Sequence, residues 1–318
     1  MNVHVVTAPL GVAVVALLFL GWRATVSTAS PPAPEITVLL SRDEPPYRQA
    51  LAGFTAYLQK QGIGAHLAVQ TIERGGADPP SSGPGGERAT PTLIFALGSP
   101  ATRVAMGLTA DSPPVVAGLI LDGSEVRGAV NATGVALEFS PAISLEWMRR
   151  LLPRCKRVGV LYNPEQNEAR VRAAAAAVNG MGMELVAREV GSPQALPGAL
   201  NSLSRTIDVL WGMPDRVVLS PEAARPILLF SFRNRIPFVG ASTAWVKAGA
   251  LFCLTWDYQD IGAQCGELAG KLLRGTAAAD LPPASPRRVL YALNLKTAQQ
   301  MKIEFSEEVV RGAHEVFE

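Results

Sequence analysis

The chain has 318 residues, 48% of them hydrophobic and 6% aromatic, and its 29 Lys and Arg against 27 Asp and Glu leave a formal charge of +2. That length suits two domains with sizeable cores, and the near balance of charge argues against a nucleic-acid surface, which needs a clustered basic face. The three cysteines, Cys155, Cys253 and Cys265, are an odd number, so an exported chain would keep at least one free thiol.

Residues 1–30 read as an export signal: 9–22 is apolar and shorter than a comfortable bilayer span, and Ser27-Thr28-Ala29 offers small residues for cleavage. The n-region has no Lys or Arg, and an uncleaved anchor over 9–22 is the alternative. No Cys follows the apolar stretch, which excludes a lipoprotein anchor. Beyond a linker at 31–35, strands and helices alternate. Strands are predicted at 36–40, 66–70, 92–97, 114–121 and 131–137, with helices at 47–61, after Gly98-Ser99-Pro100 and at 140–152. The stretch 73–91, rich in Gly, Pro and Ser, reads as a long loop. A second run follows, with strands at 157–162, 183–188, 207–211, 236–239 and 250–255 and helices at 165–179, 193–204 and 221–234. Two successive runs of β-α units predict two doubly wound α/β lobes with parallel sheets. A helix at 258–273, a Pro-rich passage at 281–286, a strand at 288–294 and a final amphipathic helix are surplus to that order, so the chain crosses between lobes more than once.

The most informative stretch is Leu161-Tyr162-Asn163-Pro164-Glu165. Here a buried strand turns sharply into a helix capped by Asn163 with Pro164 in its first turn. Such a junction presents free backbone N–H groups at the carboxyl end of a parallel sheet, where an open α/β sheet binds small polar or anionic ligands.

Several stretches, in their order, resemble the ABC transporter substrate-binding protein family, whose fold is the type I periplasmic-binding-protein fold and some of whose members bind aromatic amino acids. They are Gly98-Ser99-Pro100-Ala101, Asn131-Ala132-Thr133-Gly134-Val135, the run from Leu152-Pro153 to Pro164-Glu165, Pro214-Asp215, Lys247-Ala248-Gly249-Ala250 and Trp256-Asp257-Tyr258-Gln259-Asp260. The resemblance implies two lobes, 36–135 with 257–284 and 136–256 with 287–318, joined by a three-strand hinge near 133–137, 254–257 and 286–291. It also implies a trimmed first lobe at 73–91, where relatives carry a helix, and a monomer that works with an inner-membrane ABC permease.

In that fold the ligand lies between the lobes, against loops 41–47, 98–101, 121–123, 163–167, 212–215 and 241–245. Ser99 and Asn163 suit the carboxylate of an amino acid, Asp215 and Asp257 its ammonium, and Tyr162 and Trp245 an aromatic side chain, with Trp211 and Tyr47 nearby. Each also has a structural reading. Asn163-Pro164 and Ser99-Pro100 cap helices, Asp215 bonds its own turn, and Trp245 and Trp211 are core.

Signs of catalysis are weak. The three histidines, His4, His66 and His314, are far apart, and no zinc-helix spacing, Cys-x-x-Cys or Gly-x-Ser-x-Gly occurs. The expectation is an exported, periplasmic solute-binding protein, not an enzyme, with no cofactor or metal and no nucleic-acid partner. It captures a small polar molecule such as an amino acid. A ligand sensor of the same fold, signalling to a membrane receptor or kinase, is the alternative, and an uncleaved segment at 9–22 would favour it.

Overall fold

Alternating strands and helices build two sheets, and the first is assembled entirely from the N-terminal half of the chain. A computed structural model of the protein describes residues 32–72, 91–107 and 113–318. The predicted signal or anchor at 1–30 and nearly all of the Gly/Pro stretch lie outside the described residues. In chain order come β1 (Glu35–Leu40), α1 (Pro45–Lys60), β2 (His66–Thr71), β3 (Leu93–Leu97), α2 (Ser99–Met106), β4 (Val115–Ile120) and β5 (Ala132–Ala136). They pair in the order β2-β1-β3-β4-β5, all parallel.

The second run continues with α3 (Pro141–Leu151), β6 (Arg157–Tyr162), α4 (Pro164–Val178), β7 (Glu184–Glu189), α5 (Leu196–Leu203), β8 (Val209–Trp211) and α6 (Ala224–Asn234). Then come β9 (Phe238–Val239), α7 (Thr243–Ala248), β10 (Phe252–Trp256), α8 (Tyr258–Leu273), β11 (Val289–Asn294), α9 (Leu295–Met301), α10 (Glu307–Arg311) and β12 (Glu315–Phe317). The second sheet runs β12-β11-β10-β9-β8-β6-β7, parallel except where β10 meets β11. The antiparallel pair and the edge strand β12 depart from the expected all-parallel order and single terminal helix.

Each sheet is apolar on both faces because helices cover both. In β1, Ile36, Val38 and Leu40 pack on one face and Leu39 on the other. In β6, Val158, Val160 and Tyr162 face one core and Leu161 the opposite one. This period of two is the pleat of the strand. The cysteines are buried in these cores, free of disulfides: Cys253 in the second sheet and Cys265 against the first. Burial pushes the thiols of Cys155 and Cys253 up to about 12 and that of Cys265 higher still.

Three passages carry the chain between the sheets: 137–140, Asp257 alone, and 285–288. Strand β5 belongs wholly to the first sheet and β10 wholly to the second, so the crossings are shorter than the strand segments the sequence suggested. Ala284 rejoins the first sheet beside β5, donating to the Gly134 carbonyl at 2.9 Å and accepting from Ala136 N at 3.0 Å. Helix α8 returns to the first sheet after β10 and lies against α1 at glycine distance. A Cβ on Gly53 would stand 1.9 Å from the Gln259 carbonyl oxygen, and one on Gly262 1.8 Å from that of Ala50.

At the amino end of the second sheet, Asp208 accepts from the backbone N of Lys156 and Arg157 and from the Arg157 guanidinium, all within 3.0 Å. Burial raises this carboxyl, but those donors outweigh it and hold its pKa below the ordinary value. A carboxyl depressed by folding stabilises above its unfolded pKa, and the contribution vanishes as pH falls through the folded one. Asp208→Asn is therefore expected to lower stability by about 1–2 kcal/mol near neutral pH, with the deficit shrinking as pH falls through the acid range, in parallel denaturant titrations.

Candidate functional site

A cleft of about 520 Å³ opens where the carboxyl ends of β4, β8, β9 and β10 meet the first crossing. Its size is that of a small-molecule site. Met148, Trp211, Met213 and Phe252 line it and are also buried members of one core of the second sheet. The floor is thus the top of that core, left uncovered by any helix. Above it, Phe139 from the first crossing and Trp256 from the end of β10 stack with ring centroids 5.8 Å apart and planes 9° apart.

The first sheet contributes Leu121 and Asp122, just past β4. A register shift between Gly118 and Ile120 and a φ of 55° at Leu119 turn the strand end toward the cleft. Leu121 is left 67% exposed at the rim. Asp122 caps the following turn by accepting from Ser124 N at 2.6 Å.

The polar wall belongs to α4 and the loop after β8. Asp215 is 7% exposed and accepts four hydrogen bonds: Oδ2 from Asn163 N at 2.7 Å and Asn167 Nδ2 at 2.9 Å, Oδ1 from Val217 N at 2.8 Å and Val218 N at 2.9 Å. A carboxylate has about four lone-pair sites, so its accepting capacity is used. Gln166 accepts from Arg216 N at 3.1 Å, which ties the same helix to the same loop. One turn on, Arg170 donates to Glu138 of the first crossing at 2.5 Å, and both side chains line the cleft.

The six residues singled out from sequence lie in five places. Asp215 is in the cleft wall, and Asn163 stands behind it, its side chain accepting from Glu165 N as helix cap. Tyr162 is in the core beneath, its hydroxyl donating to Glu189 at 3.2 Å; burial raises its pKa. Ser99 donates to Glu125 Oε1 at 2.7 Å, so a protein carboxylate already sits at the start of α2. The same turn is closed by Ala101 N, which donates to Ser41 Oγ at 2.9 Å, and Gly98 carries the positive φ of 89° that the turn needs.

Trp245 packs edge-on against Phe238 on the far face of the second sheet. Asp257 caps α8 through Asp260 N and pairs with Arg288 at 2.7 Å, joining the second crossing to the third. Of these six, the structure brings Asn163 and Asp215 together and leaves the others apart.

Sequence reading passed over Glu138, Phe139, Met148, Arg170 and Trp256. A signal existed for Arg170, which follows Gln166 and Asn167 at helical spacing. Trp256 adjoins Asp257, and Glu138-Phe139 follows a strand directly. Nothing local marks Met148, which faces the cleft only because α3 packs beside α4.

Among the described residues, no group of three or more His, Cys, Asp or Glu could hold a metal ion, and no helix is long and apolar enough to cross a membrane. A tyrosine-binding protein of Clostridioides difficile is 28% identical over 225 residues, or 67% of this chain and 63% of the relative, so the match spans a little under two thirds of that protein. A ligand-free, open substrate-binding protein with adhesive properties from Clostridium difficile matches with a TM-score of 0.70 at 21% identity, over 89% of this chain and 99% of the other. A Streptococcus pneumonia ABC domain in complex with L-Trp matches with a TM-score of 0.54 at 21% identity, over 89% of this chain and all of that one. These solved structures carry the two-lobed periplasmic-binding-protein fold. Residues 88–317 match the model of the ABC transporter substrate binding proteins, and the chain belongs to that family.

Proposed function

We propose that the protein is an exported solute receptor that closes its lobes over an aromatic amino acid and delivers it, as a monomer, to an inner-membrane ABC permease. The observation that carries this is a cleft whose floor is apolar and aromatic and whose wall holds an ion pair. Apolar lining with a few placed polar groups is how small-molecule sites gain affinity and orientation together. The names of two similar proteins, a tyrosine binder and an L-Trp complex, support the ligand class.

Residues 36–135 with 257–284 would move as one body and 136–256 with 287–318 as the other, about the three short crossings. Closing would cover Leu121, whose burial is worth about 2 kcal/mol. The indole Nε1 of Trp256 is buried without an acceptor among the described residues, and a rearrangement that supplied one would be favoured. Asp215 acts in this reading as the brace of the cleft wall. Ser99, Tyr162, Trp245 and Asp257 support the surrounding frame, and no chemistry is performed.

Calorimetric titration of the purified protein with the common amino acids tests the proposal. Tyrosine or tryptophan is expected to bind, and at a hundredfold excess over Kd to raise Tm by about 4–5 °C. Failure of every aromatic amino acid to bind, with none released on denaturation and mass spectrometry, would overturn it.

A further inference from the structure

We infer that Glu138 and Arg170 together read the two charged ends of the ligand: the carboxylate of Glu138 takes its ammonium and the guanidinium of Arg170 its carboxylate. This rests on the ligand class proposed above and assigns the residues that select it.

The pair is built at a boundary. Glu138 sits on the first crossing, which links the two sheets, and Arg170 on the second turn of α4, which belongs to the second sheet. Their side chains are 23% (Arg170) and 32% (Glu138) exposed, partly removed from water, and both face the cleft. Only one hydrogen bond joins them, from a terminal guanidinium nitrogen of Arg170 to Glu138 Oε1. Among the described residues, Oε2 of Glu138 and the remaining donors of Arg170 have no hydrogen-bond partner, which leaves an acceptor and donors for a ligand.

The other charged groups of the lining are otherwise disposed. Asp215 is filled by four donors, and Asp122 caps its own turn. Arg216 also lines the cleft but is exposed to solvent. Arg170 and Glu138 are therefore the opposite charges left side by side above an apolar floor.

An adjacent positive and negative group is neutral as a unit, and so is an amino-acid zwitterion laid against it in the opposite sense. Burying that zwitterion adds no net charge to the cleft and gives each of its ends a charge-assisted hydrogen bond. A plain amine or acid must instead compete with the existing ion pair and leaves one partly desolvated charge unmatched. The pair thus discriminates zwitterions from their decarboxylated and deaminated relatives, while the Phe139–Trp256 stack and the floor take the side chain.

The test is titration of the full protein with L-tyrosine, tyramine and desaminotyrosine, and in parallel with L-tryptophan, tryptamine and indolepropionate. The wild type is expected to prefer the amino acid in each set by about 100-fold. Glu138→Gln should weaken the amino acid by about 10- to 100-fold while the deaminated acid, freed of competition with Glu138, binds at least as well as to the wild type. Arg170→Gln should weaken the amino acid equally while the amine binds at least as well as to the wild type, with Arg170→Lys in between. Thermal melts of each variant separate folding from recognition, and Arg170→Lys keeps the charge should the neutral variant unfold.

Equal weakening of all three probes in a set would mean a structural clasp and overturn the inference, as would variants that bind the amino acid like the wild type. If the wild type binds neither amino acid, the proposed ligand class itself fails and the inference falls with it. If the wild type binds and the variants do not discriminate, only the inference falls.

Discussion

Replacing Asp215 by alanine is expected to destabilise the protein by about 3–5 kcal/mol and to lower Tm by about 5–8 °C. The carboxylate gathers Asn163 N, Asn167 Nδ2, Val217 N and Val218 N, so removal strands four donors around a side chain that is 7% exposed. Each unsatisfied buried group costs about 1–3 kcal/mol, and water entering from the cleft recovers part of that. Asp215→Asn keeps the shape but turns an amide N–H toward other donors, and its loss should be intermediate. Ligand affinity should fall in step with stability, because the loop after β8 and the first turn of α4 both rest on this group. Thermal denaturation with calorimetry decides the matter. A variant as stable as the wild type that no longer binds would show that Asp215 touches the ligand instead.

Gly262→Ala is expected to be nearly as damaging, at about 3 kcal/mol, the upper end for overpacking. The new methyl would lie 1.8 Å from the Ala50 carbonyl oxygen, and neither backbone can yield without parting α1 from α8. Gly270→Ala on the same helix is the control. Its nearest neighbours are the ends of Arg274 and Ile63 at 3.3 and 3.4 Å, which can shift, and alanine favours the helix by about 1 kcal/mol. Chemical denaturation should therefore move the two midpoints in opposite directions. Equal shifts would mean that α8 does not depend on the close approach. The seam matters for function because α8 begins at Asp257, the crossing paired with Arg288, and returns the chain to the first sheet.

Much of the fold was legible along the chain because each strand carries its own local signature. The run Val158 to Tyr162 is apolar, interrupted by no turn residue except Gly159, as suits a strand covered on both faces, and Asn163-Pro164 stops it as a helix start. The short helix α7 and the strand β12 were not legible. Helix α7 has six residues and β12 three, too few for a period to stand out, and β12 is a strand only because β11 offers it an edge.

The candidate site divides along the same line. Its loops were partly foreseen, since a doubly wound sheet places them at its carboxyl ends: 121–122, 166–167, 212–215 and 241 do line the cleft. The role of each side chain was not foreseeable, because an Asp, a Ser or an Asn at a helix start can cap, brace or bind with the same local sequence. Ser99 is held by Glu125, twenty-six residues away, and Asp215 by Asn163, fifty-two residues away.

Composition, periodicity and capping residues thus determined by themselves that the chain forms two α/β lobes with apolar cores, because burial and backbone geometry act over a few neighbouring residues. Only the tertiary structure decided that Glu138 meets Arg170, that Phe139 lies on Trp256, and that Asp215 is filled by its own protein. Those pairings depend on which loops the three crossings bring together, and the distance between two side chains far apart in sequence is a property of packing rather than of either segment.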